Sequence, residues 1–159
     1  MKTSFKIARV LAVGGMLATS VVLSSSSASG QDVKRIMGEN FASAQKILVN
    51  LVTSNYATIP ADVGIIRDHV SKLLQSPPSV VKNQEDKVMF NVYGNAVKNA
   101  ATNLADVSTE IIRRDNEQKG QGELKVDYMR VAAAEYYGIM VSGCVQCHNQ
   151  FRRHSVKVN

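Results

Sequence analysis

Four stretches of the chain repeat apolar residues at intervals of three and four, which is the spacing of one face of an α-helix. No stretch shows a sustained alternation of apolar and polar residues, the pattern of a half-buried strand. The four stretches run from Asp32 to about Thr53, from Ile59 to the Pro77-Pro78 pair, from about Gln84 to Arg114, and from Glu123 to about Arg153. Short connections between helices favour antiparallel neighbours. The sequence therefore predicts an all-α fold, an antiparallel up-down-up-down four-helix bundle.

The same spacing predicts which residues of each helix face the shared core. Asp32 is the expected N-cap of the first helix, and Pro60 is suited to the first turn of the second. The inward rows are expected to be Met37, Phe41, Ala44, Leu48 and Leu51; Val63, Ile66, Val70 and Leu73; Val88, Val92, Ala96, Ala100, Leu104, Val107 and Ile111; and Leu124, Tyr128, Val131, Gly138, Val141 and Val145.

The N-terminus has the layout of a secretory signal. Lys2, Lys6 and Arg9 precede an uncharged apolar run of fourteen residues, 10–23, and small residues follow at 24–30. The run is shorter than the ~20 residues that cross a bilayer, so cleavage after Ala28 or Gly30 is expected rather than membrane anchoring. Residues 1–30 are thus predicted to be a signal peptide for export to the periplasm.

Residues 31–159 are predicted to form one four-helix domain with no membrane span. Removing thirty residues from 159 leaves 129, enough for a single core. Three of the nineteen Lys and Arg and none of the thirteen Asp and Glu lie in the first thirty residues. Residues 31–159 therefore have sixteen basic and thirteen acidic residues, so their net charge is +3, whereas that of the full chain is +6. Because no Lys/Arg run is interleaved with aromatic residues, nucleic acid is not an expected partner.

The fourth helix carries the pattern Cys-x-x-Cys-His at residues 144–148, and this pattern uses both cysteines of the chain. Helical residues three or four apart are surface neighbours, so Cys144, Cys147 and His148 share one side of the helix. Two such thiols can form thioethers along one porphyrin edge, and the neighbouring imidazole can bind the iron. The pattern therefore predicts one haem c, attached covalently through Cys144 and Cys147, with His148 as an axial iron ligand.

Two other interpretations of the cysteines are weaker. A thioredoxin-like redox pair usually follows a strand in a βαβ unit, and the sequence predicts no strand. A structural zinc site needs four ligands, and the chain offers only His69 and His154 besides His148. His69 is expected at the surface or boundary of the second helix, and His154 in the C-terminal tail.

The chain resembles the cytochrome c prime family, including its low-spin monohaem relatives, which are class II c-type cytochromes. The resemblance rests on a Cys-x-x-Cys-His-x-x-aromatic-Arg signature near the C-terminus, here Cys144, Cys147, His148, Phe151 and Arg152. The sequence of residues 37–41, Met-Gly-Glu-Asn-Phe, is also similar to the family's first helix. Only these two segments are specific, although helix number and order match over the whole mature chain.

This resemblance implies a haem packed near the end of the fourth helix, with the first helix as its distal wall. Arg152 matches the family's basic residue near the proximal imidazole, although it could equally be a solvated charge at a helix C-terminus. In one register Met37 is the second axial ligand. In the other the distal position falls at Lys34, which could pair with a propionate, and Met37 lies a turn away. Independently of the register, Met37 could simply fill the core, as Met often does on an apolar stripe. Met37, Phe41 and Lys34 are thus further candidate haem contacts.

The distal ligand separates the functions that this resemblance implies. A six-coordinate iron with Met37 suits an electron carrier, which turns over no substrate and needs an unidentified redox partner protein. A five-coordinate iron suits a protein that binds nitric oxide or carbon monoxide. A haem-free, disulfide-containing helical interaction protein is a third, remote alternative. Family members are often homodimers through the first two helices, so a homodimer is also expected by analogy.

Overall fold

The structure is a computed structural model that describes residues 30–117 and 127–152. These residues form four α-helices and no strand, which confirms the all-α prediction. The helices are α1 (Gly30–Val52), α2 (Ile59–Gln75), α3 (Gln84–Glu117) and α4 (Asp127–Arg152), with a short 3₁₀ turn at Tyr56–Thr58 before α2. The predicted signal up to residue 29, the predicted start of the fourth helix at Glu123 and its predicted end at Arg153 lie outside the described residues. Within those residues, none of the helices is both long and apolar enough to cross a membrane.

The ends of the helices follow from local hydrogen bonding. α1 closes with Ser54 at a φ of 57°, the Ser54 amide donating to the Leu51 carbonyl and the Asn55 amide to the Asn50 carbonyl. These two bonds form a Schellman motif, which satisfies carbonyls that the helix end would leave unpaired. Asp32 lies inside the first turn of α1, so its prediction as the N-cap is wrong.

Proline and an asparagine cap set the segment between α2 and α3. Pro60 lies in the first turn of α2, as predicted, and the helix ends at Gln75, just before the Pro77-Pro78 pair. At the start of α3 the Asp86 amide donates to Asn83 Oδ1 at 2.7 Å, and the Asn83 amide donates back to Asp86 Oδ2 at 3.4 Å. This reciprocal capping box fixes where α3 begins. The helix continues three residues beyond the predicted end, to Glu117.

All four helices contribute to a large cluster of buried side chains. α3 contacts both α2 and α4, while α1 contacts α2 and, less extensively, α4. The large cluster consists of Ile47, Tyr56, Ile59, Val63, Ile66, Val70, Val97, Ala100, Ala101, Leu104, Ile111, Met129, Ala133 and Met140. A separate small cluster consists of Ile36, Leu73, Val81, Phe90 and Phe151. The helices therefore share one main core, with a smaller group of buried residues beside it.

The predicted inward rows are right for α2 and largely wrong for α1. Val63, Ile66, Val70 and Leu73 are all buried. In α1, however, Met37, Phe41 and Leu48 are exposed, and the buried residues are Ile36, Asn40, Ser43 and Ile47. The two α1 rows have the same spacing and are offset by one residue. A hydrophobicity pattern selects the apolar row, whereas the buried row includes a polar residue, Asn40, whose partner lies on another helix.

The predicted rows also fail in the first half of α3 and along α4. Val88 and Val92 are exposed and Phe90 and Val97 are buried in their place, although Ala100, Leu104 and Ile111 are buried as predicted. In α4 the predicted row of Tyr128, Val131, Gly138 and Val145 is exposed, and Val141 is half-buried. The buried residues are Met129, Ala133, Met140, Gly143 and Phe151. Gly143 lets Val97 of α3 approach closely, so the bulkier valines do not mark the inner face.

Candidate functional site

The site begins with the two cysteines of α4. Cys144 and Cys147 are both half-buried; Cys144 packs against the large cluster and Cys147 against the small one. Burial raises the pKa of the Cys144 thiol, and burial together with the neighbouring Cys144 raises the pKa of Cys147 to about 11. The thiol pair therefore lies at the boundary between the two clusters, and both thiols stay protonated at neutral pH.

These properties differ from those of a dithiol redox enzyme. Reactive cysteines of that class have a lowered pKa, because the thiolate is the nucleophile. Here the surroundings of both thiols act in the opposite direction. The described residues also contain no strand, so the βαβ context of a thioredoxin-like pair is missing from them. Nor do they contain a cluster of three or more His, Cys, Asp or Glu side chains that could bind a metal ion.

Two cavities adjoin the thiols, and we call them the inner and the outer cavity. The inner cavity, about 50 Å³, is lined by Met37, Asn40, Val70, Leu73, Leu74, Phe90, Tyr93, Gly94, Val97, Cys144 and Cys147. The outer cavity, about 240 Å³, is lined by Val33, Met37, Pro78, Val80, Phe90, Cys147, His148, Phe151 and Arg152. Both cavities have mostly apolar walls, and they share Met37, Phe90 and Cys147.

The outer cavity brings together residues from opposite ends of the chain. Met37 of α1 lines it together with Cys147, His148 and Arg152 of α4. The capping box at Asn83 places the start of α3 beside them, so that Phe90 forms another wall. The rings of Phe90 and Phe151 meet edge to face, with centroids 5.6 Å apart and planes at 75°. Four of the predicted site residues therefore surround one cavity.

The remaining predicted residues are not brought to these cavities. Lys34 is exposed, and Phe41 is 65% exposed; neither lines the inner or the outer cavity. Met37 is 40% exposed, which suits a residue at a cavity mouth and not one in a filled core. His148 is also exposed, so its imidazole can turn without displacing packed side chains.

A buried polar pair behind Met37 was not expected from the sequence. His69 is 9% exposed, which corrects the prediction of a surface or boundary histidine. Its Nδ1 lies 2.8 Å from Asn40 Oδ1, and its Nε2 lies 3.2 Å from Glu39 Oε2. The sequence did contain a signal, because Asn40 lies at helical spacing from Ile36 and Ile47. A search for apolar residues does not select Asn40, because its side chain is polar.

A larger cavity elsewhere among the described residues has different chemistry. A groove of about 570 Å³ between α3 and α4 is lined by Val92, Tyr93, Ala96, Glu135, Gly138, Ile139, Ser142, Gly143 and Gln146. Its lining includes neither a histidine nor a cysteine. Because size alone confers no chemistry, we assign the candidate site to the two smaller cavities that adjoin the thiols.

Comparisons of the chain with protein-family models, with curated proteins and with solved structures found no match. The functional assignment therefore depends on the residues of the site itself.

The residues of the two cavities include donors of the kinds that could hold a covalently bound haem. The thiols of Cys144 and Cys147 lie one turn apart on α4, and the imidazole of His148 follows them. The thioether of Met37 comes from α1. The cavities are smaller than the ~300–1,000 Å³ of typical ligand pockets. Side chains at the mouth, Met37 and His148 above all, would have to turn for such a group to bind, and their exposure leaves them room to do so.

Proposed function

We propose that the protein is a periplasmic monohaem c-type cytochrome that transfers electrons, related to the cytochrome c prime family. Cys144 and Cys147 would hold the haem, and His148 would be one axial iron ligand and Met37 the other. The observation that carries this proposal is that Met37 lines the same cavity as Cys147 and His148, although it comes from the opposite end of the chain. The proposed export signal at residues 1–30 agrees with the compartment in which covalent haem attachment of this kind occurs.

We further propose an antiparallel up-down-up-down bundle as the arrangement of the four helices. Five contacts support it. Asn40 of α1 pairs with His69 of α2, and the later residue Asn50 pairs with the earlier residue Thr58, just before α2. This is the order of contacts that antiparallel helices make. Phe90 at the start of α3 meets Phe151 at the end of α4, while Asp115 and Arg130 lie 3.9 Å apart at the other ends. Tyr137 donates to the Ala44 carbonyl, which ties α4 to α1.

Each part of the site has a physical task in this role. A bound haem supplies one-electron chemistry at its iron. Cys144 and Cys147 would fix its position covalently, and His148 and Met37 would supply the ligands to its iron. Val33, Pro78 and Val80, together with the two facing phenylalanines, give the site apolar walls that exclude water. No described residue that lines the two cavities is a carboxylate, and electron transfer needs no general acid or base.

Covalent attachment is tested by expressing the chain with a haem-ligation apparatus and staining a denaturing gel for haem. The wild-type band is expected to stain, because only covalently bound haem survives denaturation. The double variant Cys144→Ser, Cys147→Ser should lose the stain completely. Ser142→Ala, on an exposed position of the same helix, is the matched control and should stain as the wild type does. A colourless wild type would refute the proposal and favour the haem-free helical protein.

The second ligand is tested by the absorption band that Met-to-iron ligation gives at the red end of the visible spectrum of oxidised haem proteins. Met37→Leu keeps the side-chain volume and removes the sulfur, so this band should disappear and the reduction potential should fall. Met89→Leu is the matched control, because Met89 packs on the small cluster and lines neither cavity. If the band persists in Met37→Leu, another residue binds the iron.

Gas binding is the second candidate function, and the 40% exposure of Met37 favours it. A side chain that is not locked by packing can leave the iron open to nitric oxide or carbon monoxide. The spectrum of the reduced protein before and after carbon monoxide separates the two functions. An electron carrier with Met37 bound should change little at low carbon monoxide concentration, whereas a five-coordinate iron should bind the gas at once.

The partners of the protein are likewise proposals. The proposed electron transfer needs a redox partner protein. The resemblance implies a homodimer through α1 and α2, and α1 exposes Phe41, Leu48, Val49 and Val52. Size-exclusion chromatography with light scattering measures whether such a dimer forms.

A further inference from the structure

The Asn40–His69 pair joins α1 to α2 directly behind the candidate site. Both side chains are buried, and the contact spans 29 residues of sequence at 2.8 Å. Glu39 adds a second contact from α1 to the same imidazole at 3.2 Å, and Arg35 holds the Glu39 carboxylate at 2.8 Å. Both ring nitrogens of His69 are thus engaged by two consecutive residues of one helix.

The chemistry of these groups makes the contact directional. A carboxylate only accepts hydrogen bonds, and Glu39 Oε2 lies 3.2 Å from Nε2 of His69, an ion-pair contact in which any shared proton belongs to the imidazole. The Asn40 amide carries both an acceptor and a donor, so it can pair with Nδ1 whether or not that nitrogen is protonated. A contact that needs both partners in one orientation fixes the rotation of a helix more strictly than apolar packing does, because apolar contacts have no preferred direction.

The position of Asn40 connects this contact to the iron ligand that we propose. Asn40 lies three residues after Met37, so the two side chains are neighbours on the surface of α1. Both line the inner cavity, together with Cys144 and Cys147. His69, on α2, lines neither the inner nor the outer cavity. A rotation of α1 that carried Met37 away from the cavity would also pull Asn40 away from His69.

We propose that His69 is a positioning residue that holds α1 in the rotation at which Met37 reaches the iron. This inference depends on the proposed function, since it assigns a role within the same site. His69 touches neither the cavity nor the proposed cofactor, and it acts only through Asn40 and Glu39. It would favour the state in which the Met37 sulfur binds the iron over a state in which Met37 has turned away from the cavity.

The test uses the full holoprotein with His69→Phe, which keeps a ring and removes both polar contacts. We expect the Met-to-iron absorption band to weaken. Carbon monoxide should bind the reduced protein about tenfold faster, because one lost buried hydrogen bond shifts a two-state equilibrium by about that factor. His69→Gln, which restores one polar contact, should recover part of the band. Ile66→Val is the control for stability, since Ile66 is buried on α2 and makes no polar contact with α1.

The outcomes separate this inference from the proposed function. A normal band and normal carbon monoxide binding in His69→Phe overturn the positioning role alone. An equal loss in Ile66→Val also overturns it, because general destabilisation would then suffice. If the wild type binds haem but lacks the band, Met37 is not a ligand and the positioning role falls with it. A wild type without haem refutes the proposed function itself. If His69→Phe does not fold, the comparison of His69→Gln with Ile66→Val decides.

Discussion

The two clusters of buried side chains differ in how completely they are enclosed. The large cluster draws on all four helices and contains the most deeply buried residues, such as Ile47, Leu104 and Ile111. The small cluster has five members, all of them slightly exposed, and Phe90 and Phe151 of that cluster line the outer cavity. The large cluster thus has the packing of a structural core and reaches the inner cavity only through Val70 and Val97, whereas the small cluster forms a wall of both cavities.

This difference indicates a division of work within the molecule. Close packing on all sides provides most of the free energy of folding, because each enclosed side chain loses all its contact with water. A wall beside a cavity contributes less to folding and leaves room for movement. Cys144 packs against the first kind of structure and Cys147 against the second, so the thiol pair links the structural core to the site. Substitutions in the two clusters should therefore affect different measurements.

The largest effect on stability is expected for Leu104→Ala in the large cluster. Leu104 is 0% exposed, so the substitution removes buried apolar surface and leaves a cavity, which costs about 2–5 kcal/mol. The spectrum of the proposed haem should be the same in the folded variant as in the wild type, because Leu104 lines neither cavity. Urea unfolding followed by circular dichroism measures the cost. Val92→Ala, on an exposed position of the same helix, should change stability by less than about 0.5 kcal/mol. Equal effects of the two variants on stability would contradict the role of the large cluster as the structural core.

The next largest effect is expected for Gly143→Ala, at the boundary between the two clusters. A Cβ atom there would lie 2.7 Å from Cγ2 of Val97, a β-branched side chain with few alternative rotamers. Overpacking of this kind costs about 1–3 kcal/mol, and it should push α4 away from α3 next to Cys144. We therefore expect a lower urea midpoint and a shift in the spectrum of the proposed haem.

Gly138→Ala on the same helix is the matched control for this effect. Apart from the adjoining residues and backbone of its own helix, no atom lies within 4 Å of the position of its Cβ, so alanine should stabilise the helix by about 0.5–1 kcal/mol. Stabilisation by both substitutions would mean that α3 and α4 do not approach as closely at Gly143 as the structure indicates.

The sequence could predict those parts of the fold that depend on a local pattern of residues. The inward row of α2 and its end before Pro77 follow from spacing and from proline chemistry, and both are confirmed. The inward face of α1 could not be predicted in this way, because Asn40 is buried only where His69 of another helix satisfies it. The inner face of α4 depends on Gly143, whose small size matters only against Val97. Of the candidate site, the pattern on α4 located the thiols and His148, and the resemblance located Met37.

A smaller effect on stability is expected for Phe151→Leu in the small cluster. Leucine keeps most of the buried apolar surface and removes the edge-to-face contact with Phe90, a geometry worth about 0.5–1.5 kcal/mol. Phe151 lies three residues after His148 and lines the same cavity, so the reduction potential should also shift. Tyr128→Leu, at an exposed position near the other end of α4, is the matched control and should change neither quantity. An unchanged potential in Phe151→Leu would mean that the small cluster is not a wall of the site.

The smallest effect is expected for Ser54→Gly, at the end of α1 remote from the proposed iron ligand. Ser54 has a φ of 57°, and this left-handed conformation costs a residue with a Cβ about 1–2 kcal/mol. Glycine removes that cost but adds about 0.5–1 kcal/mol of backbone entropy to folding, so the net gain should be roughly 0.5–1 kcal/mol. The gain should appear in urea unfolding and leave the reduction potential unchanged. Ser79→Gly, at an exposed position in the segment before α3 whose φ is not positive, should give no gain. A gain at Ser79 as large as at Ser54 would show that the left-handed turn is not strained, and a changed potential in Ser54→Gly would show that this end of α1 is coupled to the site.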